Sequence, residues 1–79
     1  MAKIIWKLDR VLEDLDISPN RLSVEAKVRP NTIYNMVYNE AVRFHFDTVI
    51  KVLVALNEIA DQEGIHKEYN IGDILEFKN

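Results

Sequence analysis

Ser18-Pro19-Asn20-Arg21-Leu22-Ser23-Val24-Glu25-Ala26-Lys27-Val28-Arg29-Pro30-Asn31-Thr32-Ile33-Tyr34-Asn35-Met36-Val37-Tyr38-Asn39 contains two helix-start signals. In each, a proline stands where the first helical residue falls, a place where its missing N–H costs nothing. Ser18 is the N-cap of the first helix. Pro30 biases Arg29 out of the helical region, so the first helix ends before it and Glu25 to Arg29 carries a tight connection. The stretch therefore predicts helix, turn, helix.

The apolar residues sort onto faces. Leu22 and Ala26 share one side of the first helix, Ile33, Met36 and Val37 one side of the second, and Val28 plugs the turn. What remains on the second helix is Asn31, Thr32, Tyr34, Asn35 and Tyr38, uncharged hydrogen-bonding groups where an ordinary solvated helix carries Lys and Glu. Such a face suits a polar partner. An asparagine donates and accepts at once, matching the N6 and N7 edge of adenine in a major groove, and Thr methyls or Tyr rings meet a thymine methyl.

On these residues the stretch resembles the helix-turn-helix of the phage-repressor-like (Xre or Cro-like) DNA-binding family. Leu22-Ser23, Val28, Pro30-Asn31-Thr32-Ile33 and Arg43 through Leu56 fall where that family has comparable residues. The likeness runs from Lys7 to about Asn57 and more loosely to the ends. Two positions depart from the family pattern. Lys27 stands where the family usually has Gly in the turn, and either takes a left-handed conformation at a modest cost or has the turn rebuilt locally around it. Arg29 stands where a Ser or Thr often caps the recognition helix.

Working outward, Leu8, Val11, Leu12 and Leu15 recur at i, i+3, i+4 and i+7, with Asp9, Arg10, Glu13 and Asp14 opposite, which predicts an amphipathic helix ended by Asp16. Lys3 to Trp6 is β-prone, and so is Ile74 to Lys78, so the chain ends are expected to pair as a small antiparallel ribbon, Ile4 to Trp6 against Leu75 to Phe77. Trp6 and Phe77 are read as core or ribbon residues, with a dimer contact as the alternative. Asn39 to Phe46 has no periodicity and reads as a loop into a helix start. His45 or Asp47 is its cap, and Phe44 is stapled against Val49. A long helix follows from about Phe46 to Gln62, with Val49, Ile50, Leu53, Leu56 and Ala60 as the inward stripe and Gly64 as terminator. Asn70 to Leu75 is a final short turn. Ile65 to Tyr69 has no reading of its own and looks like an insertion relative to the family.

The expected fold class is mainly α, a compact four- to five-helix phage-repressor-like domain with a possible terminal ribbon. Seventy-nine residues make one domain, 1–79, at a size where a single core is only marginally sufficient. With 48% hydrophobic and 29% charged residues the composition is that of a soluble globule. The longest apolar run, Val52 to Leu56, is far short of a membrane span, and Met1 to Ile4 lacks the apolar centre of a secretory signal, so a cytoplasmic protein is expected. Without cysteine there are neither disulfides nor thiolate metal sites.

Net charge is −3. Its distribution is uneven. From Ile17 to Phe46, Arg21, Lys27, Arg29 and Arg43 stand against Glu25 and Glu40, an excess of two positive charges. From Asp47 onward, Lys51, Lys67 and Lys78 stand against Asp47, Glu58, Asp61, Glu63, Glu68, Asp73 and Glu76, an excess of four negative ones. A small basic patch on an acidic body implies modest non-specific affinity for DNA, with binding that depends on dimerisation and base contacts.

The resemblance implies a sequence-specific regulator of transcription, a repressor, that inserts helix 30–38 into the major groove of double-stranded DNA as a homodimer. Asn31 and Asn35 are the expected base readers, near the helix start that enters the groove. Thr32, Tyr34 and Tyr38 flank them for methyl or phosphate contacts. Arg29 is expected to reach a phosphate or a guanine, and Arg43 and Asn20 are the expected backbone contacts, Asn20 at a helix start with free N–H groups. His45 and His66 have no ligand-like spacing, so no metal is expected. No catalytic constellation, cofactor loop or small-molecule site can be assembled, and no enzyme is expected. Two other uses of the fold compete. One is a protein-interaction module, anti-repressor or antitoxin-like, that binds a partner through the acidic half; the other, an architectural or RNA-binding role, lacks the aromatic sheet motif of RNA readers.

Overall fold

The two proline-primed segments are helices in the computed structural model of the protein, which describes residues 2–38 and 43–79. In chain order the elements are β1 (Lys3–Trp6), α1 (Leu8–Leu15), α2 (Pro19–Ala26), α3 (Pro30–Val37), α4 (Phe46–Gln62), α5 (Ile71–Ile74) and β2 (Leu75–Lys78). Ser18 caps α2 as its sequence requires, its hydroxyl accepting from the Arg21 N–H at 3.1 Å. Arg29, at the N-cap of α3, has no side-chain capping bond, so α3 begins on the fixed φ of Pro30.

Three helices stop by one device. Asp16, Lys27 and Gly64 each take a left-handed conformation just past a helix end, with φ of 53°, 56° and 71°. At each, the following residue's N–H reaches back five residues: Ile17 to the Leu12 carbonyl, Val28 to Ser23 and Ile65 to Ala60, at 3.1, 3.1 and 2.8 Å. This is the Schellman closure, which satisfies carbonyls that a helix end would orphan. Ile17, Val28 and Ile65 then pack on the core, so each closure also turns an apolar side chain inward. Of the two alternatives for Lys27, the left-handed conformation is the one the chain takes, and the turn is not rebuilt.

The chain ends pair antiparallel, Ile4 opposite Phe77 and Trp6 opposite Leu75. Side chains alternate across a strand, so Ile4, Trp6, Leu75 and Phe77 share one ribbon face. Trp6 is buried where that face meets the helices; Phe77 is exposed beyond it. The core takes Leu8 from α1, Leu22 from α2, Ile33 and Met36 from α3, Val52, Leu56 and Ile59 from α4, and Ile74 from α5, all essentially without solvent contact. Burying one such side chain stabilises by about 1.5–3 kcal/mol, which is how helices of eight residues, marginal in isolation, are held.

Two expectations need adjusting. Ile50 is exposed and does not belong to the inward stripe of α4, which is Val49, Val52, Ala55, Leu56, Ile59 and Ala60, with Leu53 half-buried beside it. The helix is apolar nearly all round from Val49 to Leu56, so periodicity alone could not set its phase. Tyr38 is the C-cap of α3 rather than its last helical residue. Of the two caps offered for α4, His45 is the N-cap, without a side-chain capping bond, and Asp47 lies in the first turn. Phe44 sets its ring edge-on to Trp6 at 5.6 Å, a contact between distant parts of the chain that sequence reading did not foresee. Of the loop expected at Asn39 to Phe46, residues 39–42 lie outside the described residues, Arg43 to His45 are irregular and Phe46 is already helical.

Candidate nucleic-acid interface

With Ile33, Met36 and Val37 turned into the core, the helical repeat leaves Asn31, Asn35 and Tyr38 at the centre of the outer face of α3. Asn31 and Asn35 are exposed, one turn apart. Their separation along the helix is about 6 Å, close to two base-pair rises of ~3.4 Å. Thr32 sits half-buried on one flank. On the other, the Tyr34 and Tyr38 rings stack with centroids 6.1 Å apart and planes 8° from parallel. The stack makes a flat aromatic wall beside the two amides, with less rotamer freedom to lose on binding than two separate rings have. The i, i+4 spacing of the tyrosines was visible in the sequence; their parallel packing was not.

The remaining expected contacts lie on neighbouring elements. Arg29 is exposed at the start of α3. Asn20 is exposed in the first turn of α2, where its backbone carbonyl accepts from the buried Ser23 hydroxyl at 2.8 Å. Arg43 is exposed just before α4. Of the eight residues singled out from sequence, seven are exposed and only Thr32 is half-buried, so the fold turns none of them into the core. Arg21 is differently placed, 3.5 Å from the Glu63 carboxylate at the far end of α4, where it offsets part of the acidic half. Among the described residues, no three His, Cys, Asp or Glu side chains converge on a position that would hold a metal ion.

This arrangement has a family behind it. The family model of the Cro/C1-type helix-turn-helix DNA-binding domain matches residues 7–59, from the residue before α1 to near the end of α4. The protein belongs to the Cro/C1-type helix-turn-helix family. Neither the comparison with curated proteins nor that with solved structures found a match. The match takes in the whole of α1 to α3 and most of α4, and leaves the terminal ribbon, segment 65–69 and α5 outside it. A Cro/C1-type domain is a DNA-binding module, so a DNA-binding regulator is the reading that the family supports. No helix among the described residues is long and apolar enough to cross a membrane.

Proposed function

We propose that the protein is a sequence-specific transcriptional repressor of the cytoplasm, acting as a homodimer in which each chain, as one domain, inserts α3 into the major groove of double-stranded DNA. One observation carries this reading. The solvent face of α3 presents two exposed amides and a tyrosine stack without a single charged residue between Pro30 and Tyr38. Asn31 and Asn35 are the base readers, with Thr32, Tyr34 and Tyr38 beside them for methyl and phosphate contacts. Arg29, Arg43 and Asn20 hold the sugar–phosphate backbone and set the register. A single module buries too little surface to select one genomic site, so two half-sites roughly 34 Å apart are expected. The domain has no catalytic work in this reading.

Selection from a random-sequence DNA pool tests it, and enrichment of a two-fold symmetric motif is the expected result. A folded sample that enriches no motif overturns it. The rival reading, a protein-interaction module, rests on the exposed carboxylates Glu58, Asp61, Glu63 and Glu68 near the end of α4. Salt separates the two, because phosphate contacts release counterions and give a steep decline of affinity with ionic strength.

A further inference from the structure

On the outer face of α4, Ile50 and Val54 stand one turn apart and are 57% and 51% exposed. Glu58 follows one turn later on the same stripe, and Asp61 ends it. Two open hollows lie along this stripe, of about 290 and 680 Å³. The smaller is walled on its other side by Ala26 and Lys27 at the end of α2, the larger by Ile65, His66 and Glu68. Val54 and Glu58 line both, so the two make one groove. From Ile50 to Asp61 it runs about 16 Å, or three turns of helix. The segment that carries the far wall is anchored by Asn57, which makes two hydrogen bonds of 2.7 and 3.1 Å to the Tyr69 backbone. That wall lies outside the family match, so the groove belongs to this chain rather than to the shared domain.

We propose that this groove docks an amphipathic helix of a partner protein, apolar on one side and basic at its C-terminal end. It does not depend on the DNA reading, since none of the residues assigned to DNA lines the groove. Shape argues for a helix first. Apolar side chains at i and i+4 on α4 are met by anchors at the same spacing on a second helix laid alongside.

Charge selects the partner. Glu58, Asp61 and Glu68 gather at the far end, and among the described residues no Lys or Arg pairs with them, because Arg21 is taken by Glu63 and Lys67 by Asp14. Glu58 and Asp61 are neighbours on one helix face and repel, and acid in the last turn of a helix opposes its dipole. α4 has no basic residue in that turn to offset them. A cationic partner relieves both penalties. At the near end Lys27 and Lys51 outweigh Glu25. A helix is stabilised by acid in its first turn and base in its last, so such a helix meets both ends of the groove when it runs in the same direction as α4.

A displayed library of random peptides of about 16 residues, long enough to span the groove as a helix, tests the proposal on the whole chain. Enriched sequences are expected to carry apolar residues at i, i+4 spacing and Lys or Arg toward the C-terminus, and to bind in the micromolar range because the apolar floor is small. Val54→Glu should weaken an enriched peptide about 30-fold, and Glu58→Lys combined with Asp61→Lys about tenfold. All three side chains are exposed, so the circular dichroism spectra should stay those of the folded chain. Glu13→Lys, on the exposed face of α1, should leave binding unchanged. Absence of enrichment, enriched peptides without basic residues, or binding that Val54→Glu leaves intact overturns the proposal. So does a wild-type dimer in sedimentation equilibrium that Val54→Glu dissociates, which would make a second copy the occupant. The DNA selection fails separately: a chain that enriches a DNA motif and no peptide sinks the groove alone, whereas one that enriches groove-dependent peptides and no DNA sinks the DNA reading alone.

Discussion

The Asn57 side chain on α4 satisfies both backbone polar groups of Tyr69, twelve residues later. Its Oδ1 accepts from the Tyr69 N–H at 2.7 Å, and its Nδ2 donates to the Tyr69 carbonyl at 3.1 Å. An amide is the side chain that can do both, and the effect is that of one rung of a β-ladder supplied by a helix. It holds the segment that joins α4 to α5. Tyr69 is thereby buried, and Lys67 lies 4.9 Å from the centre of its ring and 3.7 Å from the Asp14 carboxylate on α1.

Asn57→Ala removes both partners at once and leaves two part-buried backbone groups unpaired. The expected loss is about 2–3 kcal/mol in urea unfolding. Asn57→Asp keeps the acceptor and loses the donor, and should fall between the two. A loss under about 0.5 kcal/mol for the alanine variant, the size of an ordinary surface substitution, would show that the segment is held by something else.

Burial raises the Tyr69 phenol above its ordinary 10.0, with Lys67 lowering it and Asp14 and Asp73 adding to the rise. The folded state therefore holds the proton more tightly than the unfolded one. Its contribution to stability is complete below the unfolded value and is lost as pH climbs from there through the folded value. Difference titration of tyrosinate absorbance, wild type minus Tyr69→Phe, should give a midpoint above 10.0. A midpoint at or below it would mean that the ring is not buried as described.

Lys27 occupies a left-handed position that an L-residue takes at a cost. Lys27→Gly should raise stability by about 0.5–1 kcal/mol, read from the shift in denaturation midpoint, because glycine adopts that conformation without a Cβ penalty. The opposite change is expected at Gly64, whose φ is 71°. Gly64→Ala meets no steric neighbour, so its expected loss of about 1 kcal/mol is one of backbone strain alone.

For DNA, Asn35→Ala should cost about 1–3 kcal/mol and relax preference at one base pair, whereas Arg43→Ala should weaken all sequences alike and reduce the salt slope by about one. Gel-shift titrations against the selected motif and its single-base variants read both quantities. Equal, sequence-blind losses from the two substitutions would mean that Asn35 does not read a base.

What the sequence by itself determined is local. Pro19 and Pro30 set where two helices start, the spacing of Leu8, Val11, Leu12 and Leu15 set the buried face of a third, and the composition of the two chain ends marked each as β-prone. These signals act within a few residues and survive without the rest of the chain. The outward placement of Asn31 and Asn35 was legible for the same reason, since Ile33, Met36 and Val37 claim the other side of a short helix. Tertiary structure decided the matters in which one candidate had to be chosen over a local equal. Ile50 and Val52 are equally apolar, and only the packing of α4 on α2 says which is covered. Segment 65–69 has no pattern of its own because its contacts lie on other elements: Ile65 packs on the core, Lys67 reaches Asp14 and Tyr69 is held by Asn57. The edge-on contact of Phe44 with Trp6 joins the start of the chain to the start of α4, and no local signal announces it.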